Sequence, residues 1–154
     1  MKERPRVLIS LCLLGAACRY DGGGNRCDGL EALMERCELI PVCPEQLGGL
    51  PTPRTPCERT GDRVVARDGA DVTAEFRRGA AQAAQLAARF GARYAVLKSG
   101  SPSCGVREIY DGSFTGTRIP GMGVAAEALR GLGVALYDER QIDELMKRIE
   151  GDDA

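Results

Sequence analysis

Histidine is absent from the 154 residues, and tryptophan with it. Without an imidazole, Ser-His-Asp and Cys-His nucleophile arrangements are excluded, and so is every His-ligated metal centre. Aromatic residues make up only 5% of the chain, so the stacking platforms that hold single-stranded nucleic acid are poorly supplied. The net charge is −1 and the lysines and arginines are spread along the chain, which lacks the basic footprint that a phosphate backbone requires. No apolar run approaches the roughly 20 residues needed to span a bilayer. Long nucleic acid and membranes are therefore not expected partners. The charged opening Met1-Lys2-Glu3-Arg4-Pro5-Arg6 runs straight into Val7-Leu8-Ile9, too short an apolar region for a signal peptide. The expectation is a cytoplasmic protein forming one domain over residues 1–154.

What is abundant is sulfur. Seven cysteines stand at positions 12, 18, 27, 37, 43, 57 and 104. An odd number with no secretory signal points to metal binding or thiol chemistry rather than to a disulfide framework. With 44% hydrophobic and 28% charged residues, the remainder has the composition of a soluble globular protein.

Tyr94-Ala95-Val96-Leu97 reads as a short buried strand, entered from a helix stop at Gly91. It runs into Lys98-Ser99-Gly100-Ser101-Pro102-Ser103-Cys104-Gly105, a loop punctuated by glycine and proline. The same pattern occurs twice earlier. Arg6 to Leu11 predicts a strand with Cys12 at its end, and Leu39-Ile40-Pro41-Val42 a strand with Cys43 at its end. Pro41 lacks an N–H, which makes that second strand short or places it at an edge. Between these, Gly22-Gly23-Gly24 reads as a mobile loop. Asp28 is the expected cap of a short helix through Cys37 whose inner face carries Leu30, Leu33 and Met34. Leu47 to Pro56 is too rich in Pro and Gly for regular structure, and Arg59 to Asp68 suits a small hairpin. Asp71-Val72-Thr73 opens a long Ala-rich helix to Phe90. Ile109 to Phe114 suits a turn-linked extension. A helix from Gly121-Met122-Gly123 through Leu132, a strand over Val134 to Tyr137 and a closing helix from Glu139 to Ile149 complete the chain. Strands alternating with helices imply an α/β fold: one three-layer domain with a mostly parallel sheet of about four to five strands flanked by helices. The cysteines then lie at the C-terminal ends of the strands, where open α/β sheets carry their chemistry.

Strands in a sheet are about 4.8 Å apart. Cys12, Cys43 and Cys104 can therefore converge on one object. Three thiolates are one short of closing a tetrahedral zinc site or fully ligating a four-iron cluster, which leaves a coordination position open. Two other readings stay open at this point. One is a metal-free relay in which a rim thiol forms a persulfide and another resolves it. The other is a non-enzymatic zinc module completed by Cys18 or Cys57, although paired C-x-x-C spacings are missing. Cys37, near a helix end, is expected in the core. Cys18 and Cys27 flank the glycine loop and can lie near the rim, where one of them is a candidate spare ligand or sulfur acceptor. Cys57 is expected in the Pro-rich loop.

Ser10-Leu11-Cys12-Leu13-Leu14-Gly15, Arg19-Tyr20-Asp21-Gly22, Pro41-Val42-Cys43-Pro44-Glu45 and Ser101-Pro102-Ser103-Cys104-Gly105 resemble the bacterial thiouracil desulfidase family. Arg54 with Pro56, Asp71-Val72-Thr73, Ile109-Tyr110-Asp111-Gly112 and Gly121-Met122-Gly123-Val124 are also similar to that family, and the resemblance runs over roughly residues 6 to 138. It implies a [4Fe-4S] cluster held by Cys12, Cys43 and Cys104, whose remaining iron takes the sulfur of a thiolated uracil. It implies as well that Glu45 and Ser101 assist the chemistry. The reaction so implied is non-redox: thiouracil and water give uracil and hydrogen sulfide. On this reading Ser103 donates to a cluster sulfur, and loop N–H groups with Lys98 offset the negative charge of the cluster. The expected partner is a small thiolated nucleobase or a similar thioamide.

Overall fold

The computed structural model describes residues 3–153. Strand β1 spans Arg6–Ser10 and passes into a 3-10 turn, Leu11–Leu14, so that Leu11 lies outside the strand. Helix α1 (Leu30–Arg36) leads to strand β2 (Glu38–Val42), followed at once by a single helical turn, α2 (Pro44–Leu47). A hairpin of β3 (Cys57–Thr60) and β4 (Arg63–Ala66) precedes the long helix α3 (Thr73–Phe90). Strand β5 (Tyr94–Leu97) is followed by a second hairpin, β6 (Glu108–Tyr110) with β7 (Arg118–Pro120). Helix α4 (Val124–Gly131), strand β8 (Ala135–Asp138) and helix α5 (Ile142–Asp153) close the chain.

The main sheet has four parallel strands in the order β2-β1-β5-β8. Alternate residues of each strand serve opposite faces. Val7, Ile9, Tyr94 and Val96 pack with Leu30 and Leu33 of α1 and with Ile142, Leu145 and Ile149 of α5. Leu8, Val42, Ala95 and Leu97 face the other way, against Ala87 of α3 and Ala126 and Leu129 of α4. A strand covered on both faces has to be apolar throughout, which explains the unbroken runs Val7-Leu8-Ile9 and Tyr94 to Leu97. Each fully buried Leu, Ile or Val in these layers is worth about 1.5–3 kcal/mol. The three-layer α/β reading and the edge position of β2, with Pro41 opposite Ile9, agree with this arrangement. Among the described residues no helix is long and apolar enough to cross a membrane.

Several local expectations need correction. Helix α1 is preceded by Gly29 in the left-handed conformation rather than capped by Asp28, and Met34 is exposed rather than on the inner face. The glycine loop is a built turn: Asp21 Oδ1 accepts the Gly23 N–H at 2.9 Å, and a Cβ on Gly24 would lie 2.7 Å from the Gly15 carbonyl oxygen. Its close approach is to its own chain. Ahead of the Pro-rich segment the chain makes an unexpected single helical turn, because Pro44 suits the first helical position, where no N–H is needed. Ile109 belongs to a true hairpin whose second strand, Arg118–Pro120, carries no hydrophobic alternation to signal it.

Helix α2 lies on α3 backbone against backbone. A Cβ built on Gly79 would stand 1.8 Å from the Pro44 carbonyl oxygen, and one on Gly48 would stand 2.0 Å from that of Glu75. Two glycines therefore set how deeply Pro44 and its neighbour Glu45 sit. Gly151, in α5, meets nothing within 4 Å. Gly79→Ala is expected to lower stability by about 1–3 kcal/mol through overpacking, whereas Gly151→Ala should be neutral or raise it by up to about 1 kcal/mol. Urea unfolding followed by circular dichroism measures both. An unchanged midpoint for Gly79→Ala would contradict the close packing of α2 on α3.

Candidate active site

The sheet order reverses direction between β1 and β5, and loops leaving the carboxyl ends of such neighbours part to leave a crevice. Here that crevice is a cavity of about 380 Å³. Cys12, Cys43, Cys104, Glu45 and Ser101 all line it, and so does Cys18. The three cysteines follow β1, β2 and β5, which are consecutive in the sheet.

The loop that carries Cys104 is held from two sides. Ser101 Oγ accepts the N–H groups of Ser103 and Cys104 at 3.1 and 3.0 Å, and the Gly105 N–H reaches the Ser101 carbonyl at 2.8 Å. From outside, Val124 N–H donates to the Pro102 carbonyl at 2.9 Å, while the N–H groups of Ala125 and Ala126 donate to that of Ser103 at 2.9 and 3.1 Å. The first N–H groups of a helix have no partner within it, and here the cysteine loop supplies one. A side chain at Gly123 would stand 2.4 Å from the Ser103 carbonyl carbon, so only glycine lets α4 start this close.

Glu45 is tied at both oxygens. Arg54 Nε donates to Oε1 at 3.1 Å and Ser103 Oγ donates to Oε2 at 3.0 Å. The side chains of Arg54 and Glu45 are only 6% and 15% exposed. Arg54 also donates to the carbonyls of Pro51 and Cys18 and to Thr52 Oγ1. Ser101 Oγ lies 3.0 Å from Ser103 Oγ. Because Ser103 uses its hydrogen on Glu45, and Ser101 already accepts two N–H groups, the consistent direction is Ser101 O–H to Ser103 O–H to Glu45.

Burial disfavours the thiolate form at Cys12, Cys18 and Cys104. Burial pushes the Cys104 thiol up to about 12, against the opposing pull of Ser10 and Ser103. Burial, and then the proximity of Cys43 and Cys12, pushes Cys18 up to about 12. Burial also raises Cys12, partly offset by Asn25. Among the described residues no three His, Cys, Asp or Glu side chains are grouped so as to hold a single metal ion. The cysteines ring a hollow instead of meeting at a point. Lys98, expected beside the cluster, lines the cavity and pairs with Glu139 at 2.9 Å.

The two hairpins complete the outer wall. Glu58 of β3 accepts the N–H groups of Gly112 and Phe114 at 2.9 and 3.1 Å, which docks the β6–β7 loop on the first hairpin. Tyr110, Phe114 and Arg118 of the second hairpin and Arg67 after β4 face the cavity.

All five residues singled out in the sequence thus share one cavity. Ser103, expected near a cluster sulfur, is 3.6 Å from Cys104 Sγ and also contacts Glu45. Cys37 is in the core as expected, Cys27 packs at the core's margin, and Cys57 opens β3 instead of lying in the Pro-rich loop. Sequence reasoning did not foresee the clamp by Arg54, although Arg54 with Pro56 was among the motifs similar to the family. Nor did it foresee the wall of Glu58, Arg67 and Phe114, for which no local signal exists.

A sequence model of 2-thiouracil desulfurase matches residues 7–141. An uncharacterized protein of Bacillus subtilis (strain 168), YbbK, is 35% identical over 150 residues, covering 91% of this chain and 99% of its own. A solved structure of a [4Fe-4S]-dependent thiouracil desulfidase, TudS, superposes with a TM-score of 0.90 at 44% identity, covering 95% of this chain and 98% of that one. With residues 7–141 matched by the family model and its fold matched over nearly its whole length, the chain belongs to the 2-thiouracil desulfurase family.

Proposed function

We propose that this chain is a [4Fe-4S]-dependent desulfidase that converts thiouracil, or a related thiolated base, and water into the oxo base and hydrogen sulfide. Cys12, Cys43 and Cys104 are its cluster ligands, and Glu45 and Ser101 serve the chemistry. The observation that carries this reading is that three thiols from adjacent strands line one cavity with a doubly held carboxylate. The donor set fits the group: it is all sulfur, soft, and free of nitrogen ligands, as iron–sulfur centres prefer. When bound, the cluster supplies a thiophilic, Lewis-acidic iron without a protein ligand, which polarises a thiocarbonyl. The metal-free relay is disfavoured because the chain has no histidine to lower the pKa of a thiol. The zinc module is disfavoured because no group suited to a single ion is formed among the described residues. The seven free thiols favour a reducing, cytoplasmic setting.

Glu45 takes a proton from the water that adds to the sulfur-bearing carbon, and returns it to the departing sulfur or the ring nitrogen as the C–S bond breaks. Arg54 positions this carboxylate by holding Oε1 toward the Pro-rich loop. Ser101 holds the water or the ring oxygen, and through Ser103 it is hydrogen-bonded to the same carboxylate.

Glu45→Gln keeps the shape and one acceptor oxygen for Arg54, while its amide N–H must donate to Ser103. It should retain the iron of the wild type while sulfide release from 2- or 4-thiouracil falls about 100- to 10,000-fold. Wild-type turnover would remove Glu45 from the mechanism. Cys104→Ala should instead lose iron from about four per chain after anaerobic reconstitution, and Cys27→Ala, outside the cavity lining, should not. Undiminished iron in Cys104→Ala would remove it from the ligand set.

A further inference from the structure

Phe114 is the one residue other than glycine with a positive φ among the described residues, at 59°. A bulky side chain in the left-handed region is strained, and such strain persists only where the surroundings enforce it. The enforcing group is Glu58, a carboxylate only 9% exposed whose Oε1 accepts the N–H groups of both Gly112 and Phe114. Asp111 adds a turn by accepting the Ser113 N–H at 2.9 Å. Glycine or asparagine would satisfy this loop without strain, so the fold of the loop does not explain the phenylalanine. The cavity does. Phe114 lines it, half-buried, and the Arg67 guanidinium lies 5.5 Å from its ring centroid, fixing the ring from one side. The chain has four tyrosines and three phenylalanines. Of these, Tyr20, Tyr110 and Phe114 line this one cavity. Only Phe114 among the three is held by a buried carboxylate.

We propose that Phe114 is a specificity residue that stacks on the flat face of the pyrimidine ring, and that Glu58 is its positioning residue. The inference rests on the desulfidase reading for the identity of the ring. An aromatic face recognises a planar heterocycle whatever its exocyclic atom. Stacking should therefore act on the substrate and on the desulfurated product alike, lowering KM more than it raises kcat.

The test uses the full-length, anaerobically reconstituted protein, with uracil binding by calorimetry and sulfide release from 4-thiouracil measured together. Phe114→Leu, which keeps bulk but removes the π face, should weaken uracil binding and raise KM by about tenfold. Its iron content and kcat should stay near wild type. Phe114→Tyr should restore binding to within about twofold. Glu58→Ala should weaken binding as Phe114→Leu does, and the double variant should be no worse than either alone. Glu58→Gln keeps an acceptor oxygen and should bind as wild type does. Wild-type affinity in Phe114→Leu, or loss of iron in that variant, would overturn the proposal. A wild-type protein that binds uracil through Phe114 but releases no sulfide would sink the desulfidase reading alone. A wild type that binds no pyrimidine would sink both.

Discussion

Parallel pairing of β2, β1 and β5 is the constraint on which everything else rests. The register sets Ser10 beside Val42 and Ile9 beside Val96. Three strands therefore end at nearly the same level, and the residues that follow them start from one rim. Parallel strands need crossovers, and the crossovers place helices on both faces. The sheet is thereby buried on both sides, which holds the rim rigid. The reversal of strand order between β1 and β5 opens the rim into a crevice. The three cysteines that line the cavity thus come from three separate chain segments rather than from one loop.

Onto this rim the fold attaches a carboxylate by unusual means. A buried ion pair gains little unless its remaining donors and acceptors are satisfied. Arg54 satisfies its own with the Pro51 and Cys18 carbonyls and Thr52, and thereby ties the Pro-rich loop, the Cys18 loop and α2 into one unit. Below, Gly48 and Gly79 let α2 rest directly on α3. Glu45 is consequently located by backbone contact from one side and by a guanidinium from the other. Ser103 links it to the loop of Cys104, so that Glu45 and Cys104 share one hydrogen-bonded partner.

The outer wall is built differently. It comes from two small antiparallel hairpins outside the main sheet, joined by Glu58 and carrying the single strained non-glycine backbone among the described residues. Loops mounted on a rigid scaffold are where binding specificity is usually varied. The division of labour follows from this: the sheet rim sets the cysteines, and the hairpins shape the outer side of the cavity they line.

The alternation of buried runs with amphipathic, glycine-stopped segments was sufficient to read the α/β class and the parallel sheet, and Pro41 marked its strand as short or at an edge, where the strand order places it. These are local signals, because strand burial and helix periodicity are written in neighbouring residues. The recurrence of a cysteine just beyond three such strands made Cys12, Cys43 and Cys104 legible as a set, and the motifs around them did the same for Glu45 and Ser101. Sequence alone did not yield the turn that brings Gly24 against the Gly15 carbonyl, the clamp of Arg54 on Glu45, or the wall formed by Glu58 and Phe114. Arg54 and Glu45 are nine residues apart, and Glu58 and Phe114 fifty-six. Their partnerships depend on how separate elements dock rather than on any local preference. Composition and periodicity determined which layers form and which thiols reach the rim; only the packing of α2 on α3 and of one hairpin on the other decided which charges and rings surround them.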